Sequence, residues 1–388
     1  MHARISRRVA VLLTLLAAVT TALVAVTAGS SAVRKAPPPI PSQLKADIAA
    51  SSKIKDLGQR QQALEQLAEN EGGQLNVYTS LSSLIVKAVQ KQWAADFPKI
   101  KLNLFRGSSE DVTARIVAER KAHPDNGADV VETNGTNMLF FQHFKDTLVP
   151  YTKSPYRASV AKAYRFDTFT ADRLEKFVVA WNTNLVQGAD VPRTWSDLAN
   201  PKWKGKLAME PTDDDWFAAL YTYLGAHGGK GGKKMTTAAL NRLFRGIASN
   251  AQLIPGHTAE STALAAGQIA IVVSGHAQSL ENLMQQKAPL AFSPFVKPII
   301  ERPQGVGITY WAPHPAAALL FYDWLISPEV QNIMNASGVA PANTTVAADT
   351  NFSNTGSFTI HMDLRPIVSH IVAWQKKYES FTRLGQGG

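Results

Sequence analysis

Residues 74–80, QLNVYTS, read as a β-strand that runs into a polar corner. The next stretch, SSLIVKAVQKQWAAD (82–96), places Leu84, Val86, Val89 and Trp93 at helical spacings. The same rhythm repeats twice. KLNLFR (101–106) is a second strand, and Gly107, Ser108 and Ser109 turn it into a helix over 110–122. Ser108 and Asp111 have the spacing of a capping box. ADVVET (128–133) is a third strand, ended by Asn134 and Gly135. Strands alternating with helices imply an α/β fold whose parallel or mixed sheet is covered on both faces.

The pattern extends in both directions. Upstream, residues 46–70 read as helix, stopped by Gly72 and Gly73, and VRKAPPPIPSQLK (33–45) is a Pro-rich tether. Before it, residues 1–32 form a leader. Arg4, Arg7 and Arg8 precede an apolar run of about 20 residues, and small residues follow with cleavage points after Ala28 or Ala32. A run of that length also suffices for a retained membrane anchor. Downstream, EKFVVAWNT (175–183) reads as a strand between two lobes. A short helix, a turn and a strand occupy 194–211, helices cover 214–225 and 236–248, and GQIAIVVSG (267–275) is a buried strand. Residues 305–311 close the sheet, and helices follow at 316–326 and 328–336.

The chain has 388 residues, a net charge of +10 and no cysteine. Disulfides, thiolate metal sites, Cys nucleophiles and a lipidated Cys are thereby excluded. An export leader argues against a nucleic-acid partner. HExxH, GxSxG and GxGxxG are all absent. HGGKGGKK (227–234) lacks the first glycine and the hydroxyl of a phosphate loop and reads as a solvated turn.

Binding chemistry concentrates at the corners. Thr79, Ser80 and Ser82 follow the first strand, Arg106, Ser108 and Ser109 the second, and Thr133 and Asn134 the third. Ligands of open α/β sheets bind beyond the C-terminal strand ends, where helix starts offer unpaired N–H groups. An Arg there can grip a carboxylate or phosphate with two bonds. Plain capping explains any one corner equally well. Asp213, Asp214 and Asp215 open a helix and either cap it, touch a ligand or hold a metal. Ser274 and His276 end the 267–275 strand, and Trp216 and Tyr310 are candidate cleft aromatics.

Taken in order, LNVYTSLSS (75–83), FRGSSEDVTARIVAE (105–119), ADVVET (128–133), WSDLANPKWKGKLAM (195–209), GQIAIVVSG (267–275) and WAPHPAAALLFYDWLISPEVQ (311–331) resemble bacterial extracellular solute-binding proteins of ABC importers. They resemble the branch related to ferric-iron-binding proteins, of the type 2 periplasmic binding fold. The resemblance implies two lobes joined by crossover strands, each a mixed sheet flanked by helices. The first lobe is expected at 72–180 plus 298–388 and the second at 181–297. It also implies a monomer in the periplasm, without cofactor, that docks on an inner-membrane permease with its ATPase. Iron-binding relatives use a His after the first strand, an acid after the third and a Tyr-Tyr pair after the strand matching 267–275. Here Thr79 and Ser80, Asn134, and Ser274-Gly275-His276 stand in those places. Neutral donors with Arg106 suit an organic anion such as a phosphonate, sugar phosphate or carboxylate. Asp213 or Asp214 would add a zwitterion. Ferric iron, a polyamine, an exported hydrolase and a sensory protein are the alternatives.

Overall fold

The computed structural model describes residues 38–122, 125–347 and 358–383. The leader and residues 33–37 of the tether lie outside the described residues. Two helices come first, Ser42–Ser51 and Leu57–Asn70, where the sequence reads as one over 46–70. Asp56 accepts the Gln59 N–H and starts the second helix afresh. This pair is locked to the body by Arg60, whose guanidinium lies buried 3.0 Å from Asp323 and donates to the Tyr151 hydroxyl.

A sheet then runs through the molecule in the order β2-β1-β3-β9-β4-β7-β5-β6. The strands are β1 Gln74–Thr79, β2 Lys101–Arg106, β3 Val130–Asn134, β4 Thr170–Asn182, β5 Leu207–Met209, β6 Ala251–Leu253, β7 Ile271–His276, β8 Leu290–Ala291 and β9 Ile299–Ile308. β2, β1 and β3 are mutually parallel, as are β7, β5 and β6. Between these halves stand β9 and β4, antiparallel to each other and to their outer neighbours. β4 is longer than its sequence signal, because Thr170–Leu174 carries charges that read as surface. Two long strands crossing from one half to the other are the geometry of a hinge.

Helices cover both faces. In Ser83–Asp96 the buried stripe is Ile85, Val89 and Trp93, while Leu84 is 49% exposed. The inward face is thus one residue off the expected Leu84 and Val86. Trp93 meets Phe97, Phe321 and Trp324 within 5.3 Å. Each large apolar side chain buried this way contributes about 1.5–3 kcal/mol. Pro315–Leu325 is buried along its whole length and forms the axis of the first half. In the second half, Phe217, Tyr221 and Phe244 join Trp374, Tyr378 and Phe381 of the last helix, Ile371–Thr382. That helix therefore lies on the second half, not on the first as the 298–388 boundary expects. Hydrophobic residues from distant segments had to meet before that assignment was visible.

Candidate functional site

The register of the sheet sets one row of polar side chains on a single face. Thr79 stands beside Glu132, Asn134 beside Gln304, Gln304 beside Arg173, Arg302 beside Glu175, and Phe177 beside His276. Directly paired residues point the same way. The row runs along the C-terminal strand ends of the first half and across both hinge strands.

Hydrogen bonds knit it together. Thr79 Oγ1 donates to Glu132 Oε2 at 2.6 Å, and the Ser80 N–H donates to the same oxygen at 3.1 Å. Arg173 donates to Glu132 Oε1 at 2.9 Å and lies 3.7 Å from Glu175 and 4.0 Å from Asp172. Arg302 grips both oxygens of Asp215 at 3.0 Å, and Thr136 donates to that carboxylate across the cleft at 2.5 Å. A second cross-cleft bond joins Gln278 Nε2 to Ser82 Oγ at 3.2 Å. The Arg302 guanidinium also sits 4.7 Å over the Phe177 ring.

Two imidazoles complete the hinge. His276 and His257 stack with ring centroids 3.5 Å apart. His257 contacts Asp213 at 3.1 Å and Glu260 at 3.3 Å. Burial opposes its charge, but those two acids outweigh burial and hold its pKa well above the ordinary value. His276 is held well below, by burial first and then by the positive charges of His257, Arg302 and Arg173. Its Nδ1 lies 3.7 Å from Glu175. Burial raises Asp172 far above the usual carboxylate range, reinforced by Glu132, and raises Glu175 as well. Glu210 and Glu260 are pushed up to about 7, chiefly by burial.

Among the buried side-chain atoms here without a hydrogen-bond partner in the protein are the donors Arg173 Nε, Arg302 Nε and Gln304 Nε2, together with Ser274 Oγ and His276 Nε2, and also both oxygens of Asp172 and Glu260, Asp213 Oδ2 and His257 Nδ1. Buried polar groups are normally paired, and each exception calls for an explanation. Beside the hinge, Glu175, Gln278 and Gly338 line a cavity of only about 10 Å³. The halves are thus drawn together, and entry of any organic molecule requires them to part.

The expected residues divide. Thr79, Ser80, Ser82, Asn134, Ser274 and His276 gather along the hinge, with Asp213 behind them through His257. Asn134 also caps the helix Gly135–Phe141, accepting the Asn137 N–H. Thr133 points to the opposite face of β3 from its neighbours. Ser108 is engaged with Asp111 in the expected capping box. The Ser109 carbonyl accepts from Thr113 and Asn137, and Arg106 is exposed and donates to the Leu81 carbonyl. Three expectations are displaced. Asp214 is buried against Gln375 of the last helix. Trp216 is fully buried against Trp195 in the core. Tyr310 lies beyond Ile308, which pairs with Val130 at the far end of β3, and lines a 280 Å³ cavity with Pro41 and Glu71 instead. Glu132, Arg173, Glu175, Arg302 and Gln304 escaped the sequence reading, because polar residues inside a strand look like a wet edge until the neighbouring strands are in place, and His257 escaped it on a helix with no sequence signal of its own. Among the described residues, no group of three or more His, Cys, Asp or Glu is placed to hold a metal ion.

One contact at the third corner predicts a measurable loss. A Cβ on Gly135 would stand 2.5 Å from the Pro303 carbonyl oxygen and 2.6 Å from Leu364. Gly135→Ala should destabilise the protein by about 1–3 kcal/mol in urea titration, since the helix must back away from β9. An unchanged midpoint would show that the contact has slack.

The chain is similar to known proteins. The chain is 24% identical over 266 residues to the Fe(3+)-binding periplasmic protein of Serratia marcescens, spanning 64% of this chain and 73% of that one. Iron-bound HitA from Pseudomonas aeruginosa superposes with a TM-score of 0.64 at 15% identity, covering 79% of this chain and 99% of HitA. AfuA from Actinobacillus pleuropneumoniae, solved with exogenous fructose-6-phosphate bound, gives 0.64 at 20% identity, covering 80% and 99%. The two solved structures share the two-lobed periplasmic binding fold. The sequence profile of the family described as "Bacterial extracellular solute-binding protein" matches residues 125–360, and with it the crossing strands and their polar row find their family: the chain is a bacterial extracellular solute-binding protein.

Proposed function

We propose that the chain captures a small anionic or zwitterionic organic solute between its lobes, a phosphonate, sugar phosphate or carboxylate, and presents it to an inner-membrane permease driven by an ATPase. The reading takes 72–180 with most of the chain after 298 as one lobe and 181–297 with the helix Ile371–Thr382 as the other. The observation that carries it is the set of unpartnered donors on the hinge face, above all Arg173 Nε, Arg302 Nε and Gln304 Nε2. A charge-assisted hydrogen bond contributes about 1.5–3 kcal/mol. Three or four of them approach the roughly 8 kcal/mol of micromolar binding. The carboxylates Glu132, Asp213 and Asp215 face His or Arg partners, while Asp172 and one Asp213 oxygen lack hydrogen bonds, so the site carries both signs of charge. Solute oxygens would replace water at the parted lobes and draw them shut.

Ferric iron is the second reading. It is favoured by the Serratia marcescens relative and by HitA, whose names both specify iron. AfuA, named with a bound sugar phosphate, shows that the same fold accommodates an organic anion. The two readings separate in a thermal-shift series with fructose 6-phosphate, a phosphonate, a dicarboxylate and a ferric salt. A solute at about 100 times its Kd stabilises the protein by about 2.7 kcal/mol. A rise with an organic anion alone supports the first reading. A rise with ferric salt and no added anion replaces it with the second.

A further inference from the structure

The second half of the molecule carries a strong segregation of charge. Between Leu198 and Leu280 there are five carboxylates, Glu210, Asp213, Asp214, Asp215 and Glu260, and all five are buried. The same stretch has eight Lys and Arg residues, and all eight are exposed. They are Lys202, Lys204 and Lys206 before β5, Lys230, Lys233 and Lys234 in the glycine-rich turn, and Arg242 and Arg245 on the helix Thr237–Ser249.

Packing brings these groups onto one surface. On that helix Ala238, Arg242, Arg245 and Ser249 form the exposed stripe, at spacings of four and three. Its start adjoins Lys233 and Lys234 in sequence. Near its end, Gly246 abuts Ala199, and Asn250 donates to the Leu198 and Asn200 carbonyls, which seats Lys202 beside it. Gln252 then bonds the Gly205 carbonyl between Lys204 and Lys206. The stripe is about 20 Å long at 1.5 Å per residue. Three acids approach it: Asp190 pairs with Lys202, Asp197 feels the same Lys202 charge, and Glu379 pairs with Arg383 on the neighbouring helix.

The surface also lies away from the cleft. Lys204 and Lys206 precede the N-terminal end of β5, whereas the solute row sits at the opposite strand ends. The glycine-rich turn follows the helix Asp214–His227, which leads away from that row for its whole length.

We propose that this basic face rests on an anionic phospholipid surface, holding the protein against the membrane with its cleft unobstructed. Long, hydrated ammonium and guanidinium groups, of which Lys202 has Asp190 as partner, suit a fluid layer of phosphates, where each basic residue near the surface adds attraction that salt screens. The sequence supplies a matching context. The run VAVLLTLLAAVTTALVAVTA at 9–28 is uncharged and apolar, the kind of segment that brings a chain to a bilayer. Among the described residues no helix is long and apolar enough to cross one, so contact by this body is peripheral.

The test is flotation of the full chain with vesicles of phosphatidylcholine alone or with about one-third phosphatidylglycerol. The readout is the ratio of anionic to neutral binding, which cancels any insertion of the apolar run. We expect a ratio of about 10 or more at ~0.1 M salt, falling several-fold at ~0.5 M. Lys233→Gln, Lys234→Gln, Arg242→Gln and Arg245→Gln together should bring it close to one. Lys53→Gln, Lys55→Gln, Lys87→Gln and Lys91→Gln remove equal charge from exposed sites on the other half and should leave the ratio nearly intact. Matching melting temperatures will verify that both variants fold. Equal losses in the two variants, no preference for phosphatidylglycerol, or insensitivity to salt would each overturn the proposal. No preference for phosphatidylglycerol is the result expected if the face instead meets an acidic protein.

Discussion

Replacing Arg173 by methionine will lower the unfolding free energy at pH 7 by about 3–5 kcal/mol, the usual result of removing one side of a buried ion pair. Arg173 is the sole cation within 4.0 Å of Glu132, Asp172 and Glu175 among the ion pairs described there. Burial already raises Asp172 and Glu175, and without the guanidinium their charged forms lose an attractive partner. The sign follows from linkage. Carboxyls whose folded pKa is raised above the unfolded value of ~4 destabilise the fold as pH climbs from there through the folded pKa, and below both they do so no longer. The deficit of Arg173→Met relative to the parent should therefore shrink between pH 7 and pH 4. Urea titrations at the two pH values measure it. A deficit of equal size at both would mean that lost packing, not uncompensated charge, is responsible. The same variant should bind no organic anion, because Arg173 Nε is one of the unpartnered donors.

The second large effect is a preference for mildly acidic conditions. Glu210 and Glu260 titrate at about 7 in the folded chain, against ~4.3 unfolded. Each should therefore lose about 2 kcal/mol of relative stability between pH 5.5 and 8.5. His257 acts in the same sense. Its raised pKa gives stability that is full below ~6.5 and fades as pH rises through the folded value. His276 opposes them. Its depressed pKa makes the fold less stable as pH falls below ~6.5, by about 1 kcal/mol at pH 5.5. Asp197 and Glu301 are lowered, so their contribution is lost only below ~4, outside this window. Calorimetry should find the melting temperature at pH 5.5 higher than at pH 8.5 by roughly 5 °C. Glu210→Gln should narrow the gap. A flat profile, or a higher melting temperature at pH 8.5, would refute this balance.

Much of the fold was readable in the chain, and the reason is local. β1, β2 and β3 and their helices follow one another within sixty-odd residues, so alternation, helical spacing and Gly-Ser corners report them directly. The corner residues Thr79, Ser80 and Asn134 were found because a strand end followed by a helix start is itself a sequence signal. The hinge was not readable. Arg173 meets Glu132 across 41 residues, and Arg302 meets Asp215 across 87. Nothing in DRLEK (172–176) distinguishes a charge buried between β9 and β7 from one facing water. Trp216 and Tyr310 failed for the converse reason. An aromatic residue near a strand end or helix start looks equally suited to a cleft wall or a core, and only packing decided for Trp195 and for the far side of β9.

The helix Ile371–Thr382 closes the second lobe, and Tyr378 donates its hydroxyl to the Glu210 carbonyl 168 residues earlier. Phe217 and Phe244 thus wait, partly unsheltered, until residues 371–382 have been synthesised. Contacts so remote in sequence form late and slowly. A chain cut short before residue 371 would present a greasy, half-built lobe to chaperones and proteases while its first lobe could already be assembling. Quality control of this protein is thereby written into the helix Ile371–Thr382.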